Sequence, residues 1–423
     1  MYKWHNILQN YKFISKKTLE SAYYPYTKKY GYGWTIDSIA GKRRVAHSGS
    51  FWGFRSNFAR ITEDDMVVIL LSNFEVTGLN MITNDIFSAL GFDFHFIRLN
   101  FSDEMNENGK LKFVKIWRLF IICSSILKNL MIYRPDYVYY PPSGPEKIPV
   151  YRDLILVFLI KLFKNKVIFH FHAGGLSEIY PTLNRSMQWL FRFCFFNPDY
   201  AICMSSYGKK DPEFLKAKCI EIIPYGVQMD TVVDAPIERS MSSNITILFV
   251  GVCRETKGIL DFIQVIQKVH TKNSAVKGRV LGTVFSEKEK KAINLAVDAG
   301  FLDYEGVKIG KEKDQVFSES DIFLFPTFFE HENFPTVNLE AFAHGLPVIS
   351  TKWRGVQDQV CQGENGYIHD VHDIDSMANS ILTLTEDSDL YKRLSLNARQ
   401  EYVRLYTAER FETNVTNFFN KLS

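Results

Sequence analysis

Hydrophobic and polar positions change their spacing along this 423-residue chain. In the first 95 residues, "FRSNFARITEDDMVVILLSNF" (54–74) predicts two strands joined by a polar turn at Thr62–Asp65, and aromatics and glycines crowd "YGYGWTID" (30–37). This is the grammar of hairpins. From about residue 96, short apolar runs such as "PDYVYYPP" and "NKVIFHFHAGG" flank the helical stretch "YRDLILVFLIKLF". The polar segment "QMDTVVDAPIERSMSSN" (228–244) reads as a linker to a second alternation. There "ITILFVGV" (245–252) predicts a strand, and "TKGILDFIQVIQKVH" (256–270) a helix with Ile259, Phe262, Ile263, Ile266 and Val269 on one face. "DIFLFP" and "LPVIS" follow as strands, each leading into a helix, and the amphipathic "TAERFETNVTNFFNKL" (407–422) closes the chain. Strands alternating with helices predict parallel sheets covered on both faces. The expected fold class is therefore α/β, with two Rossmann-like domains behind a β-rich fragment. The expected boundaries are 1–95, 96–240, 241–405 and a C-terminal helix at 406–423.

Composition narrows the function classes. A hydrophobic share of 46% with 23% charged residues is that of a globular protein. A net charge of +3 gives no reason to expect nucleic acid as a partner. Six scattered cysteines show no C-x-x-C spacing, so neither zinc nor a disulfide framework is indicated, and they read as buried thiols. No metal and no cofactor are expected. The longest apolar runs, such as "LILVFLI", fall short of a membrane span, and the N-terminus has no secretory pattern, which implies a cytoplasmic address. Residues 96–240 carry 19 Lys and Arg against 14 Asp and Glu. In this region Trp117, Arg118 and Lys128 flank the apolar "LFIICSSIL", read either as a buried helix with solvated ends or as a peripheral contact with the inner face of a membrane.

The stretch "HENFPTVNLEAFAHGLPVIS" (331–350) carries the candidate chemistry. Pro335 suits the first helical position and Gly345 the left-handed position past the end, so a helix is predicted from about Thr336 to His344. Its N-terminus follows the strand "DIFLFP" and offers free N–H groups and a partial positive charge, a natural site for phosphate. Glu340, the fifth helical residue, lies on the order of 7 Å along the axis from that start, and Glu332 precedes it. Two acids so placed suit the two ends of one elongated ligand better than the two sides of one bond.

Taken together, Glu332, Phe334, Pro335, Glu340, Ala341, Gly345 and Pro347 resemble the donor-binding motif of family-four glycosyltransferases, over about 96–423 and most strongly over 245–423. The resemblance implies the GT-B fold and a retaining transfer of sugar from a nucleotide-diphosphate sugar to an acceptor hydroxyl, without a metal. "FVGVCRETKGILDF" (249–262) resembles the loop in which an arginine and a lysine neutralise the donor diphosphate. Lys257 matches in register, while Val252 occupies the usual arginine position and Arg254 follows two residues later. "HFHAGGLSEIY" (170–180) resembles the loop that presents a histidine, here His172, to the reacting sugar; His170 is expected on the opposite face, and Tyr225 stands where an asparagine is common. The implied catalytic residues are Glu332 and His172. The implied donor-binding residues are Gly251, Arg254, Lys257, Asn333, Phe334, Pro335, Thr336, Val337 and Glu340. The expected partners are a sugar nucleotide and a glycan or lipid-linked acceptor.

Residues 1–95 resemble instead the C-terminal end of a serine β-lactamase-like hydrolase, with His47, Ser48 and Gly49 as its third active-site motif. Neither a Ser-x-x-Lys nor a Tyr-x-Asn precedes it, so acyl transfer has no activated nucleophile. The usual first strand and loop of the acceptor-side domain are not seen in the sequence. Residues 66–100 read strand, loop, helix, strand, so Met66–Asn73 is a candidate to fill that place beside the 94–100 strand. Impaired transfer in a sugar-nucleotide-binding fusion is the alternative function.

Overall fold

The computed structural model describes residues 14–26, 30–39, 42–51, 54–61, 66–72, 113–229 and 239–422, with single positions 8, 97 and 99. Two units divide the chain: Met1–Pro135 with Phe411–Ser423, and Asp136–Arg410.

In the first unit, β1 (Tyr30–Gly31), β2 (Trp34–Ile39), β3 (Lys42–Phe51), β4 (Phe54–Ile61) and β5 (Met66–Ser72) form an antiparallel sheet in chain order. Ile36 opposite Val45 supplies its apolar face, and Leu19 and Tyr23 from the helix Lys16–Ala22 pack there. Ser15 caps that helix by accepting from the Thr18 N–H. The hydrolase-like His47 and Ser48 lie on β3, paired with Phe58 and Asn57. β5 ends this sheet, paired in register from Ile61–Met66 to Arg55–Ser72. Among the described residues it pairs with β4 alone, in a ladder continuous along the strand, and the expected place beside the 94–100 strand is not tested by them. Most of its expected neighbour, 94–100, lies outside the described residues.

The 21-residue helix Phe113–Tyr133 corrects the sequence reading. Its window Ile116–Tyr133, with mean hydropathy 1.4, is long and apolar enough to cross a membrane. A search for unbroken apolar runs missed it because Arg118, Ser124, Ser125 and Lys128 interrupt the run. Trp117 and Phe120 are exposed and stacked at 5.9 Å, while Ile122, Ile126 and Leu130 on the same helix are buried, so one face is covered and the other open. The cysteines are not uniformly buried: Cys194, Cys203 and Cys253 are, whereas Cys361 is exposed and Cys123 and Cys219 are half-buried, all six as free thiols.

The second unit contains two parallel sheets. β6 (Tyr137–Tyr140), β7 (Lys166–Phe171), β8 (Tyr200–Cys203) and β9 (Ile220–Ile222) run in chain order. The other sheet comprises β10 (Ile245–Val250), β11 (Val276–Leu281), β12 (Leu302–Tyr304), β13 (Ile322–Phe325), β14 (Val348–Thr351) and β15 (Gly366–His369). Its order is β12-β11-β10-β13-β14-β15, every pair parallel. β13 is fully buried and β10 is buried apart from Thr246, and both are near-continuous apolar runs, as expected of strands in the middle of a parallel sheet. The chain winds outward from β10 one way and from β13 the other, so the loops after these two strands diverge and leave a crevice at their carboxyl ends.

Candidate active site

Both loops at this crevice carry the residues singled out from sequence. After β10, Gly251 packs beside Phe325, and a single 3₁₀ turn, Glu255–Lys257, precedes the helix Ile259–Lys272. That helix starts later than the predicted Thr256 because Gly258 takes φ +87°, a left-handed conformation that breaks the turn. A Cβ at Gly258 would stand 2.1 Å from the Pro326 carbonyl oxygen, so only glycine lets the two loops close on each other.

That approach brings Lys257 to Glu332. The Lys257 Nζ donates to Glu332 Oε2 at 2.5 Å, and both side chains are largely buried. Thr327 Oγ1 lies 3.4 Å from the same oxygen. Lys257 Nζ also sits 4.6 Å from the ring centre of Phe329, and the Arg254 guanidinium 5.3 Å from that ring and 4.4 Å from Phe285. Phe329 therefore holds two cations on one π-system. Its carbonyl accepts from Trp353 Nε1 at 2.7 Å, which fixes the loop. Val252, at the usual arginine position, is an exposed apolar side chain.

The helix after β13 runs Thr336–Ala343, with Pro335 as its extended N-cap at ψ 114°. Pro335 thus lies one residue before its expected place, because its extended ψ belongs to the cap and the first helical turn starts at Thr336. No side chain caps this start, so the N–H groups of Thr336 and Val337 remain available at the helix tip. Gln359 braces the start from below, donating to the Pro335 carbonyl at 3.2 Å and accepting from Asn338 Nδ2 at 2.9 Å. Glu340 is buried; its Oε1 accepts from Lys313 Nζ at 2.7 Å, and its Oε2 has no hydrogen-bond partner. Phe334 is buried against Tyr225 and Tyr406.

Loops of the β6–β9 sheet meet these loops directly. The loop after β7 turns at Gly174–Gly175, where Asp211 accepts from the N–H groups of Gly175 at 2.6 Å and Ser177 at 2.8 Å. Asn333 lies against it, its Oδ1 3.4 Å from where a Cβ at Gly174 would stand, and this buried oxygen has no partner. Arg354 donates to both Glu178 oxygens, at 3.2 and 2.8 Å, and the Tyr207 N–H donates to Asp358 at 2.7 Å. These contacts clamp the two lobes.

His172 directly follows β7, and its side chain is exposed. Its Nδ1 is hydrogen-bonded to the Tyr225 hydroxyl, and the two rings lie nearly parallel, with planes 8° apart and centres 5.7 Å apart. Desolvation pushes its pKa below the ordinary histidine value, so the ring is neutral at neutral pH. His170 does not face away: the two ring centres are 4.1 Å apart. Residues two apart on an extended strand share a face, and the expectation of opposite faces had this periodicity wrong. Phe329, Lys313 and Arg354 were missed by sequence reasoning, since no local spacing marks a residue whose partner is remote. The departure at Tyr225 was visible, but not its bond to His172.

Residues 234–401 match the family model of Glycosyl transferases group 1. The capsular polysaccharide biosynthesis glycosyltransferase CapM of Staphylococcus aureus is 26% identical over 182 residues, covering 43% of this chain and 47% of that protein. A lipopolysaccharide 1,2-N-acetylglucosaminetransferase of Salmonella typhimurium is 25% identical over 228 residues, 49% of this chain and 59% of that protein. The chain thus spans about half the length of these curated relatives. The crystal structure of Anabaena HepE in complex with UDP superposes with a TM-score of 0.57 at 13% identity, covering 71% of this chain and 82% of that one. The fold is GT-B, and residues 234–401 form a domain of the glycosyl transferases group 1 type.

Proposed function

We propose that this chain is a retaining glycosyltransferase of family-four type, moving a sugar from a nucleotide-diphosphate donor to a hydroxyl of a glycan or lipid-linked acceptor. The observation that carries the reading is the convergence of Lys257, Arg254 and Glu332 around Phe329 at the crevice between the β10 and β13 loops. In this reading Lys257, Arg254 and the N–H groups of Thr336 and Val337 hold the diphosphate. Their positive charge stabilises the leaving group as the glycosidic bond breaks. Glu340, with one oxygen already oriented by Lys313, accepts from the ribose hydroxyls through the other. Glu332 shifts its bond from Lys257 to the donor sugar, and His172 faces that sugar from the opposite lobe. Side-chain cations and helix amides supply the charge, so the reading assigns no role to a metal.

A melting-temperature screen against uridine, guanosine and adenosine diphosphates tests it. One nucleotide is expected to stabilise the protein, by about 2.7 kcal/mol at a hundredfold excess over Kd, and Glu340→Gln to remove the effect. No stabilisation by any of the three sinks the reading. The antiparallel sheet of residues 30–72, foreign to the two parallel ones, supports a second reading: a fusion that binds sugar nucleotide with impaired transfer. Stabilisation without product identifies that case. The hydrolase-like fragment itself is expected to be inactive on a chromogenic ester. We further propose peripheral membrane contact through Trp117 and Phe120 on the open face of the Phe113–Tyr133 helix; failure to co-sediment with anionic vesicles at low salt removes it.

A further inference from the structure

Tyr225 lies between β9 and β10, on the segment that joins the two parallel sheets. Five aromatic side chains, Tyr225 among them, form a continuous row. The Tyr139 hydroxyl is hydrogen-bonded to His170 Nδ1, and the His170 ring contacts His172 with centres 4.1 Å apart. His172 Nδ1 is bonded to the Tyr225 hydroxyl, and the Tyr225 ring meets Phe334 edge-on at 6.4 Å, immediately before the donor-side helix. The row therefore ties the reacting-side histidine of one lobe to the helix start of the other.

We propose that Tyr225 is a positioning residue that fixes His172 as the Nε2–H tautomer and aims that N–H into the cleft, an inference that rests on the proposed glycosyl transfer. A neutral imidazole carries one N–H, and the partner of one nitrogen decides where it sits. Desolvation raises the Tyr225 pKa, so the phenol keeps its hydrogen, which we assign to the bond with His172. Nδ1 is then the acceptor and the hydrogen is on Nε2. A donor N–H at that point suits a hydroxyl oxygen of the donor sugar, and a ring held by that hydrogen bond and by the neighbouring His170 ring loses little orientation when the sugar arrives. His170 repeats the arrangement with Tyr139 one step deeper, buried, and its Nε2 has no partner. It stiffens the row without reaching the cleft.

The test combines kinetics with nitrogen-15 NMR of histidine-labelled protein. Tyr225→Phe retains the ring and its contact with Phe334 but removes the hydroxyl. It is expected to lower kcat about 10- to 100-fold while the donor KM changes less than about threefold. His172 should read as the Nε2–H tautomer in the wild type and as a mixture in the variant. In a His172→Ala background, Tyr225→Phe should cost nothing more, because the two side chains act as one unit. An Nδ1–H tautomer in the wild type, an unchanged tautomer in Tyr225→Phe, or equal kinetic losses in both backgrounds overturns the proposal. If no transfer is detected at all, the functional reading fails, and the tautomer measurement still decides the role of Tyr225.

Discussion

Lys257 and Glu332 are 75 residues apart in the chain, yet their side chains meet at 2.5 Å because β10 and β13 are neighbours in the sheet. Each charge is held mostly out of water and answered by the other. Removing one partner leaves the other poorly compensated, a loss of about 3–5 kcal/mol for a fully buried pair and less here. Glu332→Ala therefore tests folding and chemistry together. Glu332→Gln keeps the shape and one acceptor, and is expected to lower kcat by about 10²–10³-fold with a melting temperature close to wild type. Turnover within threefold of wild type would count against Glu332 at the reacting sugar.

Arg254 and Lys257 share the Phe329 ring, so their contributions to donor binding should be separable from that of the ring. A charge-assisted hydrogen bond contributes about 1.5–3 kcal/mol, so Arg254→Ala should raise the donor KM by about 10- to 100-fold. Phe329→Leu keeps both cations but removes a π-contact of about 0.5–1 kcal/mol, so a two- to fivefold rise is expected. Steady-state kinetics with varied donor checks the ranking. An Arg254→Ala enzyme with unchanged KM would assign the diphosphate to Lys257 and the helix amides.

The bidentate pair Arg354–Glu178 joins the lobes from opposite sides of the cleft. Desolvation of Glu178 works against its charge, but hydrogen bonds from Arg354 and Lys210 hold its pKa below the ordinary carboxylate value. Glu178 is about a third exposed, so its coupling with Arg354 should be only about 1 kcal/mol in a double-mutant cycle. Urea denaturation of the two single variants and the double variant measures it. Additive effects would mean that the pair does not fasten the lobes.

Acid should destabilise this protein before its carboxylates titrate. Burial lowers the pKa values of His170 and of His344, the latter to about 4. In the unfolded chain these groups bind protons near pH 6.5, whereas the folded protein resists protonation until lower pH. The unfolded state thus holds more protons in that window, and stability falls as pH drops from about 6.5 toward 4. Each such histidine costs about 1.4 kcal/mol per pH unit at most. Thermal melts at pH 7.0 and 5.5 should show a clear drop in midpoint; an unchanged or higher midpoint at pH 5.5 contradicts the assignment.

Much of the six-stranded half was legible in the sequence. The alternation of apolar runs and amphipathic helices in 245–386 fixes a parallel sheet through local periodicity alone, and Pro335 and Gly345 bracket the Thr336–Ala343 helix through their own backbone preferences. Residues 331–340 carry their pattern within one short stretch, so Glu332 and Glu340 could be named before any fold was known. Only the tertiary structure decided what these residues touch. Strand order brought Lys257 to Glu332, the close approach at Gly258 set two cations on Phe329, and the lobe contact fastened Arg354 to Glu178. Such pairings depend on how strands are arranged in space, which spacing along the chain does not encode. The bond from Tyr225 to His172 is of the same kind: 53 residues separate them, and it exists because the segment after β9 returns past the end of β7.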